Sequence, residues 1–204
     1  SQGNLTRNFV LTGNGTESDF PQYNNNGGGN LATSVNWSNK TTSVTMTITF
    51  NKPLVGVTFL LFDVDQSNNN WDDRLTITAQ NETNTTIYPA LTASSYAEIS
   101  GANRNILEGK SNNSSFSSDP STASFGSSYV SKVVIVYSAG ANSPSNPSSQ
   151  TIGIGGIVYE NILPIDLISF KADKKNNTTD LKWQTENQDN FSHFELERSA
   201  TGTD

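Results

Sequence analysis

The sequence predicts an all-β protein: an antiparallel jelly-roll or β-sandwich, followed by a partial second module of immunoglobulin or fibronectin III type. Two observations carry this. The dominant apolar period is two, and no segment keeps a helical period over about ten residues. The short apolar runs are separated by clusters of Asn, Ser, Gly and Pro, which punctuate antiparallel sheets.

The elements follow in order. Ser43 to Phe50, SVTMTITF, alternates apolar Val44, Met46, Ile48 and Phe50 with Ser and Thr, which predicts a half-buried strand. Asn51 to Pro53 reads as a turn. LVGVTFLLFDV after it is apolar on both faces and reads as a central strand. Arg74 to Gln80 alternates again, and Asn81 to Asn84 reads as a hairpin turn. Strands are also expected at Thr85 to Leu91, Val130 to Tyr137 and Thr151 to Ile162. Gly13 to Asn30, Ser111 to Ser128 and Ala139 to Gln150 are polar and read as long loops, which are either functional or mobile; mobility is the expectation for each. Leu163-Pro164 marks a boundary, giving a first domain over 1–162 and a second over 163–204. In the second, Ile165 to Ala172, Thr179 to Thr185 and His193 to Ser199 read as strands. Trp183 with the alternating Phe194 and Leu196 resembles the start of a fibronectin III or immunoglobulin-like module, which needs about 100 residues when complete.

Composition narrows the function. Net charge is −7, from 12 Lys plus Arg against 19 Asp plus Glu, with no basic stripe. Nucleic-acid binding and attraction to anionic membranes both lack their driving force. There is no cysteine, so disulfides, thiolate nucleophiles and Cys-based zinc sites are excluded. No apolar run reaches the roughly 18 residues of a membrane span, so no membrane insertion is expected. The first residues, SQGNLTRNF, carry no signal-peptide pattern.

The chemistry concentrates in FDVDQSNNNWDDRL, Phe62 to Leu75. Counting by two along an extended strand puts Asp63 and Asp65 on one face, about 7 Å apart. Asp73 shares the parity of Leu75, Ile77 and Ala79 and should point inward, whereas Asp72 should face solvent. A hairpin pairing Phe59 to Asp65 with Asp73 to Gln80 would bring Asp63, Asp65 and Asp73 together. Asn68, Asn69 and Asn70 in the connection offer further oxygens. Carboxylates crowded without a cation raise one another's pKa. Calcium takes six to eight oxygens in flexible geometry, and no His or Cys lies nearby to favour zinc or iron. The spacing is not that of an EF-hand, because Asn68 and Arg74 stand where Gly and Glu are required. The alternatives are an acidic turn neutralised by Arg74 or by solvent, and a catalytic pair. Glu160 is a further candidate ligand. Trp71, Asn69 and Tyr96, with Trp37 and Tyr23, are candidates for contacting a bound partner, although Trp37 is better read as core.

FNKPLVGVTFLLFDVDQSNNNWDDRLTITA resembles the strand–loop–strand of a jelly-roll module of bacterial secreted and surface-anchored proteins. The matching positions are a D-x-D at Asp63 and Asp65, and an aromatic, Trp71, two residues before Asp73. IGIGGIVYENI resembles that module's closing strand. LPIDLISFKADKKNNTTDLKWQTENQDNFSHFELERSATG is similar to a module common in multidomain proteins exported by type IX secretion. The resemblance implies a secreted or cell-surface protein, without naming a ligand.

No enzyme is expected. The one histidine, His193, has no triad around it, and carboxylates sharing a strand face suit a cation better than the two sides of a scissile bond. The leading expectation is a calcium-stabilised adhesive or carbohydrate-binding module whose partner is an extracellular glycan or a surface protein. The alternatives are a self-assembling subunit of a surface filament, paired through strand edges, and an accessory domain of a secreted glycoside hydrolase.

Overall fold

The computed structural model describes residues 7–13, 16–24, 30–37, 39–160, 166–186 and 194–196, with side chains for 30–37, 39–160, 167–186 and 194–196. The chain divides into two compact units, Ser1–Glu160 and Asn161–Asp204.

The first unit is all-β and antiparallel throughout. Its strands are β1 (Arg7–Gly13), β2 (Thr16–Asn24), β3 (Asn30–Asn36), β4 (Ser43–Phe62), β5 (Gln66–Ser67), β6 (Trp71–Gln80), β7 (Thr86–Ile87), β8 (Ala90–Thr92), β9 (Ala97–Ser100), β10 (Ile106–Gly109), β11 (Ser121–Ser124), β12 (Val130–Ala139) and β13 (Gln150–Glu160). They form two layers. One runs β1-β4-β12-β6-β10-β9, with β7 beside β6. The other runs β2-β3-β13-β4-β11-β8.

β4 belongs to both layers. Its first part, Val44 to Phe50, lies between β1 and β12. Its last part, Thr58 to Phe62, lies between β11 and β13. The expected turn at Asn51 to Pro53 is instead the exposed stretch where the strand leaves one layer for the other. Proline fits there because it has no N–H to give to a ladder. Gly56, at φ 69°, completes the change of direction and donates to the Gly126 carbonyl.

The two layers close over one core. Val44, Met46, Ile48, Leu75, Ile77, Val133, Ile135 and Tyr137 from one meet Val57, Phe59, Leu61, Ala123, Ile152 and Ile154 from the other. This is the arrangement of a β-sandwich. Each large side chain contributes about 1.5–3 kcal/mol by leaving water. The period-two pattern of the sequence is thus the burial pattern of β4, β6 and β12.

Two expectations fail here. The Gly13 to Asn30 segment is not a loop, since β2 fills Thr16–Asn24 and pairs with β3. An edge strand is held by backbone hydrogen bonds and needs no apolar run. Pro21 sits within it, in the register shift between Asp19 and Gln22. The β4–β6 hairpin is also absent, because β12 lies between those strands. Of the other polar segments, Ser111 to Ser128 contains the short β11, while Ala139 to Gln150 is built of turns.

The second unit contains a hairpin, β14 (Asp166–Lys175) with β15 (Thr178–Glu186), closed by a two-residue turn with Asn176 at φ 50°. Trp183 meets Phe194 edge-on, with ring centroids 5.6 Å apart. Residues 194–196 are not in a strand, and the rest of the expected third strand, His193 included, lies outside the described residues.

Candidate functional site

The acidic stretch sits where the chain crosses between layers. β4 ends at Phe62, so Asp63 and Asp65 are not on a strand; Asp63 takes φ 59°, a left-handed conformation in which Asp is among the better-tolerated residues. The chain then forms the narrow hairpin β5–β6, with Gln66 opposite Asp72 and Ser67 opposite Trp71. Asp73 N–H donates to the Asp65 carbonyl (3.0 Å), and Asp65 N–H reaches Asp73 Oδ2 (3.3 Å). The expected convergence of Asp63, Asp65 and Asp73 is present, but a backbone crossing produces it, not strand pairing.

The three line one cavity of about 190 Å³ together with Trp71, Asn113, Ser149, Gln150 and Thr151. Asp65 is buried; its Oδ1 accepts from Trp71 Nε1 (2.8 Å) and its Oδ2 from the Asn113 N–H (2.7 Å). Asp73 is buried too, and its Oδ1 accepts from the Tyr137 hydroxyl (2.6 Å). No hydrogen bond to the Asp63 carboxylate is seen among the described residues. The lining contains no Lys, Arg or His. Arg74, the alternative neutraliser, points to the other face of β6 and pairs with Glu108 at 2.8 Å.

The electrostatics follow. Burial, with the charge of Asp65 beside it, pushes Asp63 up to about 7. Burial also raises Asp65, against the hydrogen bonds from Asn113 and Trp71. Asp73 is raised well above the usual carboxylate range, first by burial and then by the charges of Asp65 and Asp63, against the Tyr137 hydrogen bond. Uptake of a proton or a cation relieves this crowding.

A pH dependence of stability results. Between about 3.8 and about 7 the native Asp63 keeps a proton that the unfolded chain has released. The native state binds more protons there, so stability falls as pH rises through that window. Metal-free protein is therefore expected to show a urea midpoint that declines from about pH 4 to about pH 7. Asp63→Asn should flatten part of that decline. A midpoint that rises instead would mean the carboxylates are held ionised.

Asp72 overturns its expectation. It is fully buried, not solvent-facing, because the 140–143 turn lies over it. Its Oδ2 accepts from the Asn142 N–H (2.9 Å) and its backbone carbonyl from the Gly140 N–H (2.7 Å). A Cβ on Gly140 would overlap its carboxyl group, so glycine is what lets the turn come this close. Burial lifts Asp72 to about 6, against the Asn142 hydrogen bond.

The remaining candidates scatter. Glu160 pairs with Val55, whereas Phe62 pairs with Gly153. Seven strand residues, about 23 Å, separate Glu160 from the aspartates; it is exposed and cannot share their ion. Asn69 is the exposed apex of the β5–β6 turn at φ 65°, and Tyr96 engages Lys110, Ser111 and Ser94 through its backbone; neither lines the cavity. Trp37 is core, 1% exposed, as favoured. The side chain of Tyr23 lies outside the described ones. Asn113, Ser149, Gln150 and Thr151 carry no signal in the sequence beyond lying within or next to the long polar segments.

A scan against protein-family models, a search of the curated proteins and a search of the solved structures each found no match. Among the described residues, no group of three or more Asp, Glu, His or Cys side chains meets the spacing of a metal-ligand set, and no helix is long and apolar enough to cross a membrane.

Proposed function

We propose that the first unit is a non-catalytic binding module of a secreted or surface-displayed protein, of jelly-roll type, whose loops are ordered by calcium at Asp63, Asp65 and Asp73. The partner is an extracellular glycan or a surface protein. The second unit is of fibronectin III-like type. The observation that carries this reading is one cavity lined by three buried or half-buried carboxylates with no cationic side chain among the lining residues. Calcium takes six to eight oxygen ligands in flexible geometry, and the three aspartates lining this cavity offer it carboxylate oxygens.

The test is a thermal melt of metal-stripped protein with and without calcium, on wild type and on Asp63→Asn. Calcium at a hundredfold excess over its dissociation constant should stabilise wild type by about 2.7 kcal/mol. Asn tolerates the left-handed backbone at 63. Its neutral amide removes repulsion, so metal-free Asp63→Asn should melt above metal-free wild type while losing most of the calcium response. A wild-type melt indifferent to calcium, with no metal by elemental analysis, would sink the proposal.

One observation favours assembly as a second reading. The second unit exposes Leu167, Ile168, Phe170 and Trp183, a group of large apolar side chains of the kind that marks an interaction surface. Concentration-dependent sedimentation, lost when Phe170 and Trp183 are both replaced by Ser, would support it.

A further inference from the structure

The acid cavity contains a feature that a cation alone does not explain. Gln150 is part of its lining and is 4% exposed. Its Oε1 accepts from Trp37 Nε1 at 2.7 Å, which fixes which end of the amide is which. Its Nε2 has no hydrogen-bond partner. A buried unpaired N–H₂ is costly, so such groups call for an acceptor. A calcium ion offers none. Three of the neighbouring groups are already engaged: Trp71 Nε1 and the Asn113 N–H on Asp65, and Thr151 Oγ1 with Ser34 Oγ at 2.6 Å.

The cavity is also larger than an ion requires. Its volume of about 190 Å³ leaves room for more than the ion itself. What fits both the carboxylates and Gln150 is an oxygen with two lone pairs, one for the ion and one for Nε2–H. A hydroxyl is such an oxygen, and its own proton can go to an aspartate. A vicinal diol supplies two. A carboxylate ligand is disfavoured by charge, because three aspartates already outweigh a divalent cation by one unit and an anion would double the excess. Trp71 adds an aromatic, half-buried wall on which the C–H face of a sugar ring can lie.

We infer that this cavity binds a neutral polyhydroxylated ligand, a glycan unit with a vicinal diol, through a shared calcium ion and a hydrogen bond from Gln150 Nε2. The inference rests on the cation reading above and names the ligand class for that site.

The experiment is calorimetric titration of the full chain, first with calcium chloride, then with methyl α-mannoside, methyl β-galactoside and methyl β-glucoside, with lactate as the carboxylate probe. Saturable binding of at least one glycoside in calcium, absent in chelator, is the expected result. Gln150→Glu keeps the acceptor for Trp37 and removes the donor; it should bind calcium at least as well as wild type and the glycoside about tenfold more weakly, the worth of one hydrogen bond. Gln150→Met serves in its place if that variant does not fold. Calcium binding with no glycoside binding overturns the inference and leaves the ion. Lactate binding in place of glycoside overturns the ligand class. A glycoside affinity unchanged in both variants removes Gln150 from the site and overturns the geometry. No calcium binding overturns the cation reading itself.

Discussion

Gly109→Ala is expected to destabilise the protein by about 3 kcal/mol, the upper end of the usual cost of overpacking. Gly109 is buried in β10, paired with Ala97 of β9. A Cβ there would overlap the carbonyl carbon and oxygen of Asp65 and come within 2.8 Å of the Gln66 nitrogen. These are backbone atoms and cannot rotate aside. The same Asp65 carbonyl accepts the Asp73 N–H, so moving it disturbs two of the three carboxylates. The loss should appear as a lowered urea midpoint at unchanged slope, together with a weakened calcium response. Gly126→Ala is the control: it has φ 53° but no atom near its Cβ position, so its cost is backbone strain alone, about 1–2 kcal/mol. Equal losses in the two variants would show that steric contact with Asp65 is not what constrains position 109.

Trp37→Ala should cost about 3–5 kcal/mol, the range for deleting a large buried aromatic. Trp37 is 1% exposed, and its ring meets Tyr137 edge-on with centroids 5.1 Å apart. Both of its partners lead to the acid cavity: Nε1 holds Gln150, and Tyr137 donates to Asp73. Trp37→Phe separates the two roles. It retains most of the apolar burial but leaves the Gln150 Oε1 without its donor, at a cost of about 1–3 kcal/mol. Equilibrium urea unfolding of both variants measures the difference. A loss under about 1 kcal/mol in Trp37→Ala would mean that the core around Tyr137 collapses without penalty.

The strands that form the core were legible because burial there repeats every second residue. Met46, Ile48 and Ile77 could be placed inward from spacing alone, and Asp73 with them. The convergence of Asp63, Asp65 and Asp73 was legible for a reason that differs from the actual one. Parity on an assumed hairpin and the observed crossing at Asp63 both gather the same side chains. Asp72 was misread because parity says which face of β6 a side chain takes, not what covers that face. What covers it is a turn about seventy residues downstream, a contact that leaves no periodic trace. β2 was missed for a related reason: edge pairing uses backbone atoms, to which side-chain pattern is blind. Gln150 and Asn113 reach the cavity through tertiary folding of polar segments whose composition suggests only mobility.

β4 carries a mechanical consequence. Its first part is bonded to β1 and β12 and its last part to β11 and β13, so the two layers are joined through one continuous backbone. The layers are therefore coupled by a covalent link at Asn51 to Val57, and neither can move from the other further than that stretch allows. Load carried along β4 passes from the ladders of one layer to those of the other through that same stretch.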